Sequence, residues 1–179
     1  MTDLEFIRAA VDKRKEAILD ACSRIWEYAE LPYEETRSSA LLQEMLRQEG
    51  FEVTATAAGI PTAFTARFQY GEGGPVMGIL GEFDALATLS QKAGCARREP
   101  VTPGAPGHGC GHCCLGTGAL AAALAVRDYL LAYQKPATVI YYGCAAEEGA
   151  GAKQFMARAG LFDGVDFVYT WHPSDRNEV

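Results

Sequence analysis

The chain is short of positive charge. Lysine and arginine number 16 against 23 acidic residues, a formal net charge of −7 at pH 7. That argues against nucleic-acid binding and against docking on an anionic membrane, both of which need a basic face. No apolar run reaches the ~20 residues that span a bilayer, so no membrane association is expected. The opening MTDLEFIRAAVDKRKEA lacks the basic-then-apolar layout of a signal peptide. A cytoplasmic location is the resulting expectation. Repeats, low-complexity tracts and long linkers are also missing. With 49% hydrophobic and 22% charged residues over 179 positions, the composition is that of an ordinary globular domain, or of one domain plus part of another, and excludes global disorder. Histidine is scarce, with three residues.

What is present alternates helical and extended patterns. Thr2 and Glu5 make a capping-box pair. Leu4, Ile7, Val11, Ile18, Cys22, Ile25 and Ala29 then recur at helical steps, predicting one long first helix. A second helix is expected over 38–48, closed by Gly50. Strands are expected over 51–57 and 63–70, in the apolar run PVMGILGEFDAL, over 138–143 and over 165–171. Residues 87–109 read as a loop. Helices are expected over 115–131 and 152–159. The order implies an α/β fold with a mixed, largely parallel sheet flanked by helices, whose sites form at the carboxyl ends of strands.

Four segments place ionisable groups at the ends of apolar runs: GEFDAL (81–86), GHGCGHCC (107–114), GCAAEEGAGA (143–152) and TWHP (170–173). Cys110 and His112 stand two apart, so in an extended segment their side chains face the same way, and thiolate and imidazole both suit zinc-like metals. A buried cysteine beside a helix-capping histidine accounts for the same residues. Glu147 and Glu148, adjacent at a strand end, point to different sides, so one can hold a metal while the other faces a water. A solvated pair in a helix first turn is the plainer alternative. His172 is a ligand candidate or an ordinary surface histidine. Asp84 can orient a ligand from behind or cap a turn, and Glu82 sits on the same side of the strand with its role open. Two of the three histidines fall at candidate ligand positions and the third, His108, beside one.

In this order the four segments resemble the two-metal amidohydrolase and exopeptidase family of aminoacylases and glutamate-releasing carboxypeptidases, in its branch of aminobenzoyl-glutamate and hippurate hydrolases. GEFDAL followed by LSQ, the GHGCGH form and FDGVDFVYTWHP carry the resemblance from the first helix onward. It implies a zinc-exopeptidase-like catalytic domain holding two divalent ions, zinc or manganese. Cys110 would bridge the two metals, with His112, Glu148 and His172 as further ligands. Glu147 would be the general base and Asp84 the supporting catalytic aspartate. The substrate would be a small N-acyl amino acid or dipeptide, and the full-length form a homodimer. Two departures stand out: the residue after GCGH, usually Asn or Asp, is Cys113, followed by Cys114, and family members are more than twice as long. The expectation is that residues 1–179 are the N-terminal part of the catalytic domain, without the lid domain or the final ligand histidine, and that the chain alone has little turnover. A thiol-disulfide oxidoreductase using Cys110-Gly-His-Cys113 at a helix start, or a non-catalytic metal-binding fragment, are the rival readings.

Overall fold

The computed structural model describes residues 1–149 and 151–176. In chain order the elements are α1 (Asp3–Asp12), α2 (Lys15–Tyr28), α3 (Thr36–Gln48), β1 (Glu52–Ala55), β2 (Phe64–Tyr70), β3 (Val76–Glu82), α4 (His112–Tyr133), β4 (Ala137–Cys144), α5 (Ala152–Arg158) and β5 (Phe167–Tyr169). The sheet order is β1-β2-β4-β3-β5. It is mixed, as expected. Its antiparallel half joins β1 to β2 and β2 to β4, and its parallel half joins β4 to β3 and β3 to β5. All the candidate chemistry hangs from the parallel half.

The capping box forms: the Glu5 amide donates to Thr2 Oγ1 at 3.2 Å and the Thr2 amide to Glu5 Oε2 at 2.8 Å. The single long first helix does not. The chain breaks at Lys13 and Arg14, and Arg14 turns its guanidinium onto Glu49 Oε2 (2.9 Å) and Asp128 Oδ2 (2.6 Å). This largely buried triad ties the helix break to the end of α3 and to α4. Charge-assisted bonds to two carboxylates outweigh the turn of helix given up.

The central helix α4 is long and apolar enough to cross a membrane by length and composition, with a mean hydropathy of 1.3. In the fold it is the core helix. Leu120 and Leu124 are buried in it, packed with Ile25, Leu42, Leu46, Phe64, Phe83 and Tyr141. Its start lies hard against the end of β3. A Cβ on Gly116 would meet the Glu82 carbonyl oxygen at 2.5 Å, so glycine is required for that approach. Gly111, just before the helix, takes φ +78°, a conformation costly for other residues. The loop of residues 87–109 forms as expected and is pinned at its base by Leu86 and Gly107, whose amides and carbonyls exchange two 3.0 Å hydrogen bonds. That bridge brings Asp84 and Cys110 to one end of the sheet. At the other edge, β5 is exposed along its length, with Tyr169 62% accessible.

Candidate metal centre

Each of the four segments ends at the carboxyl end of a parallel strand or opens α4. Glu82 closes β3 and Asp84 follows two residues on. Glu147 and Glu148 follow β4, His172 follows β5, and His112 is the first residue of α4. They converge on one imidazole. His112 is fully buried, and its Nδ1 lies 2.8 Å from Asp84 Oδ1. Asp84 is an acceptor, so Nδ1 carries the proton and Nε2 is left facing the site. Around Nε2 stand Glu82 Oε2 at 3.1 Å, Glu147 Oε2 at 3.8 Å and Glu148 Oε1 at 4.0 Å. None of these contacts has the alignment of a hydrogen bond. His112 Nε2 and Glu148 Oε1 are both buried without a hydrogen-bond partner, a costly state for polar atoms facing one another.

The other two candidate ligands complete the ring. Cys110 Sγ lies 3.2 Å from His172 Nε2, and the His172 ring meets His112 edge-on with centroids 5.6 Å apart. Donor atoms of Cys110, His112 and His172 fall within 4.8 Å of one another, as do those of Glu82, His112 and Glu147. The electrostatics are those of a cation site. Burial pulls the His112 pKa down, but the Asp84 bond and the charges of Asp84, Glu82 and Glu148 outweigh it and hold the imidazole above its ordinary value. Burial, then Glu148, Glu147 and Glu82, push the Cys110 thiol up to about 11. Four carboxylates surround one imidazole and one thiol, and Lys153 answers only part of that charge through its ion pair with Glu82. A divalent cation bound among these donors would satisfy both orphaned atoms and replace the proton on the Cys110 thiol.

Some sequence expectations shift in detail. Cys110 and His112 do not share an extended segment: Gly111 turns sharply between them and the helix begins at His112. Both still face His172. Glu147 and Glu148 do not point to opposite sides but reach toward the same nitrogen. They lie beyond the strand, where Ala146 adopts φ +56° and wraps the chain over the site. His108 stays out of the cluster, with Nε2 3.0 Å from the Ile25 carbonyl oxygen and burial lowering its pKa. Cys113 does not join Cys110, since its sulfur gathers with those of Cys22 and Cys114. With the Cys110 thiol raised rather than lowered, the oxidoreductase reading loses both its partner thiol and its reactive thiolate.

Two contributors were not foreseen. Glu82, whose role the sequence leaves open, is a member of the cluster. Glu35 is fully buried, and its Oε1 accepts from the Ala146 amide at 2.6 Å, fixing the turn that presents Glu147. Asp84 does the same one step on, its Oδ2 accepting from the Glu148 amide at 2.8 Å.

Residues 78–178 match the description of peptidase family M20/M25/M40. The chain belongs to this family. Among M20 relatives, a p-aminobenzoyl-glutamate hydrolase chain of Escherichia coli (strain K12) is 49% identical over 94% of this chain and 34% of its own length. The Xaa-Arg dipeptidase of Mus musculus is 35% identical over 98% of this chain and 40% of its own. The chain thus spans about a third to two-fifths of these curated relatives. Its fold is shared with the Bacillus subtilis YXEP protein, described as a dinuclear metal binding peptidase from the M20 family. The TM-score is 0.74 at 22% identity, covering 93% of this chain and 44% of that one. An aminobenzoyl-glutamate utilization protein from Klebsiella pneumoniae gives a TM-score of 0.69 at 18% identity, covering 94% and 46%.

Proposed function

We propose that this M20 chain carries the larger part of the metal centre of a hydrolase that cleaves the amide bond of N-acyl amino acids, with an aroyl-glutamate such as p-aminobenzoyl-glutamate as the candidate substrate. The observation that carries the reading is the orphaned pair, His112 Nε2 and Glu148 Oε1, buried 4.0 Å apart among carboxylates with a thiol and a second imidazole in reach. In this reading Cys110, His112, Glu148 and His172 would hold two divalent ions, zinc or manganese. Mixed thiolate, imidazole and carboxylate donors suit zinc, and the carboxylate share admits manganese. Bound there, the ions supply Lewis acidity toward the amide carbonyl and acidify a water.

The rest is done by the chain's own groups. Glu147, whose carboxylate is about one-third exposed, reaches both the cluster and solvent. It accepts the attacking water's proton and returns it to the leaving amine. Asp84 is a positioning residue: one oxygen fixes the His112 tautomer and the other fixes the backbone at Glu148, so the general base and two ligands share one anchor. Glu35 anchors the preceding peptide.

The same reading makes residues 1–179 an N-terminal part of the catalytic domain, with a lid domain and a last ligand histidine belonging to the longer protein. The exposed edge of β5 is where further sheet would add. A small-molecule substrate, a homodimer in the longer form and a cytoplasmic location belong to it as well. The last is supported by six cysteines none of which is in a disulfide. The test is a chimera in which this chain replaces the matching segment of the Escherichia coli relative. Hydrolysis of p-aminobenzoyl-glutamate that disappears with Glu147→Gln is the expected result. A folded, metal-loaded chimera that hydrolyses no N-acyl amino acid overturns the reading.

A further inference from the structure

Three thiols that the proposed centre does not use meet nearby. Cys22 comes from α2, and Cys113 and Cys114 from the first turn of α4. Their sulfurs all lie within 4.8 Å of one another, with Cys22 and Cys114 3.7 Å apart and Cys113 and Cys114 3.9 Å apart. Two thiolates on one tetrahedral zinc, each at about 2.3 Å from the metal, stand about 3.8 Å apart. A disulfide needs about 2.05 Å. Cys113 and Cys114 are chain neighbours, with Cα atoms about 3.8 Å apart, closer than the disulfide range. Sulfur separations of 3.7 and 3.9 Å suit ligands around one ion. Cys113 is buried, Cys22 half-buried and Cys114 exposed, so the cluster has a dry base and an open mouth. Thr117, one turn further along α4, donates its hydroxyl to the Cys113 carbonyl at 2.7 Å and stands beside the Cys22 thiol.

We propose that Cys22, Cys113 and Cys114 form a separate thiolate site for a thiophilic closed-shell cation, Cu⁺ or Zn²⁺. Soft sulfur donors select these ions over magnesium, calcium or manganese. Three sulfurs satisfy Cu⁺, and the exposed side at Cys114 admits the water that Zn²⁺ takes as a fourth ligand. Binding releases the thiol protons to solvent and staples α2 to the turn of α4 that begins with His112. Cys113 and Cys114, which follow the GCGH segment, thereby acquire a common role with a cysteine some 90 positions earlier. The site does not rest on the hydrolase reading, because none of its sulfurs belongs to that centre.

The anaerobically reduced chain is titrated with Cu⁺ against the chelator bicinchoninate, and separately with Zn²⁺ and with Cd²⁺ followed by thiolate-to-metal absorption. In a Cys110→Ser background, where the centre proposed above has no sulfur donor, one equivalent of Cu⁺ and one of Cd²⁺ read by thiolate-to-metal absorption are expected. Both are expected to be lost on adding Cys22→Ser and on adding Cys114→Ser, each checked for folding by circular dichroism. The exposed position of Cys114 makes its variant the safer of the two. Retention of Cu⁺ but not of a matching Zn²⁺ equivalent identifies copper, and retention of both identifies a general thiophilic site. In that background, Cu⁺ binding or thiolate-to-Cd²⁺ absorption that survives both Cys22→Ser and Cys114→Ser, or a reduced chain that takes up neither ion, overturns the proposal.

Discussion

Asp84→Asn isolates the anchor of the metal centre with almost no change in shape. The carboxylate accepts from His112 Nδ1 and from the Glu148 amide, both at 2.8 Å, and the residue is 1% exposed. An asparagine keeps one oxygen. Whichever donor it serves, its NH₂ group faces the other donor. The loss is one hydrogen bond to a charged acceptor, about 1.5–3 kcal/mol, with a buried donor left unpaired. Taken together, a destabilisation of about 3 kcal/mol follows. If the NH₂ turns toward His112, the imidazole must move its proton to Nε2 and loses its free lone pair toward the site. If it turns toward Glu148, the backbone of that residue loosens. Either orientation weakens metal binding, by about 10–100-fold as for other groups that orient ligands. Urea unfolding of the apo chain reads the first effect and calorimetric Zn²⁺ titration the second. Asp84→Asn with stability within about 0.5 kcal/mol of wild type and unchanged metal affinity would refute the anchoring argument.

Other substitutions separate the remaining roles. Glu148→Gln is expected to weaken divalent-metal binding at least about tenfold while Glu147→Gln leaves it within a few-fold, the difference between a ligand and a base; equal losses in calorimetry would erase the distinction. Lys153→Met removes the partner of the buried Glu82 carboxylate and should destabilise the apo chain by about 1–3 kcal/mol, below the cost for a fully buried pair because Lys153 is partly exposed. Denaturation showing no loss would mean that Glu82 is otherwise satisfied. Burial raises the pKa of Glu35, against the lowering effect of its hydrogen bonds. Its folded form therefore binds the proton more tightly than the unfolded one. The resulting stabilisation is full below the unfolded pKa and is lost as pH rises through the folded one. Glu35→Gln should thus gain stability relative to wild type as pH rises above the ordinary carboxylate range, and a pH-independent difference in urea midpoints would contradict the assignment.

How far the sequence could be read depends on how local each feature is. The strand ends that bear the site were legible because β3, β4 and β5 are short apolar runs ending in ionisable residues, and the chain delivers those ends to one place. The break between α1 and α2 was not, because Arg14 finds Glu49 and Asp128 only in the folded chain, 35 and 114 residues away. Periodicity across residues 4–29 continues through the break and conceals it. The antiparallel pairing of β2 with β4 likewise depends on partners distant in the chain, such as Phe64 and Gly143. Glu35 closes the segment LPYEE that breaks the helical pattern, and nothing there distinguishes a buried acid from a solvated one. The third thiol of the Cys22 cluster was read only as one apolar position on a helix face.

The central claim is that Cys110, His112, Glu148 and His172 form a divalent-metal centre, and elemental analysis of the purified chain tests it most directly. A Cys22→Ser background removes the thiolate cluster, so any metal found belongs to this centre. One or more zinc or manganese ions per chain, lost on adding Cys110→Ser and on adding His112→Ala, is the expected result. A folded chain that carries neither metal after exposure to both, or whose metal content is unchanged by either substitution, would contradict it.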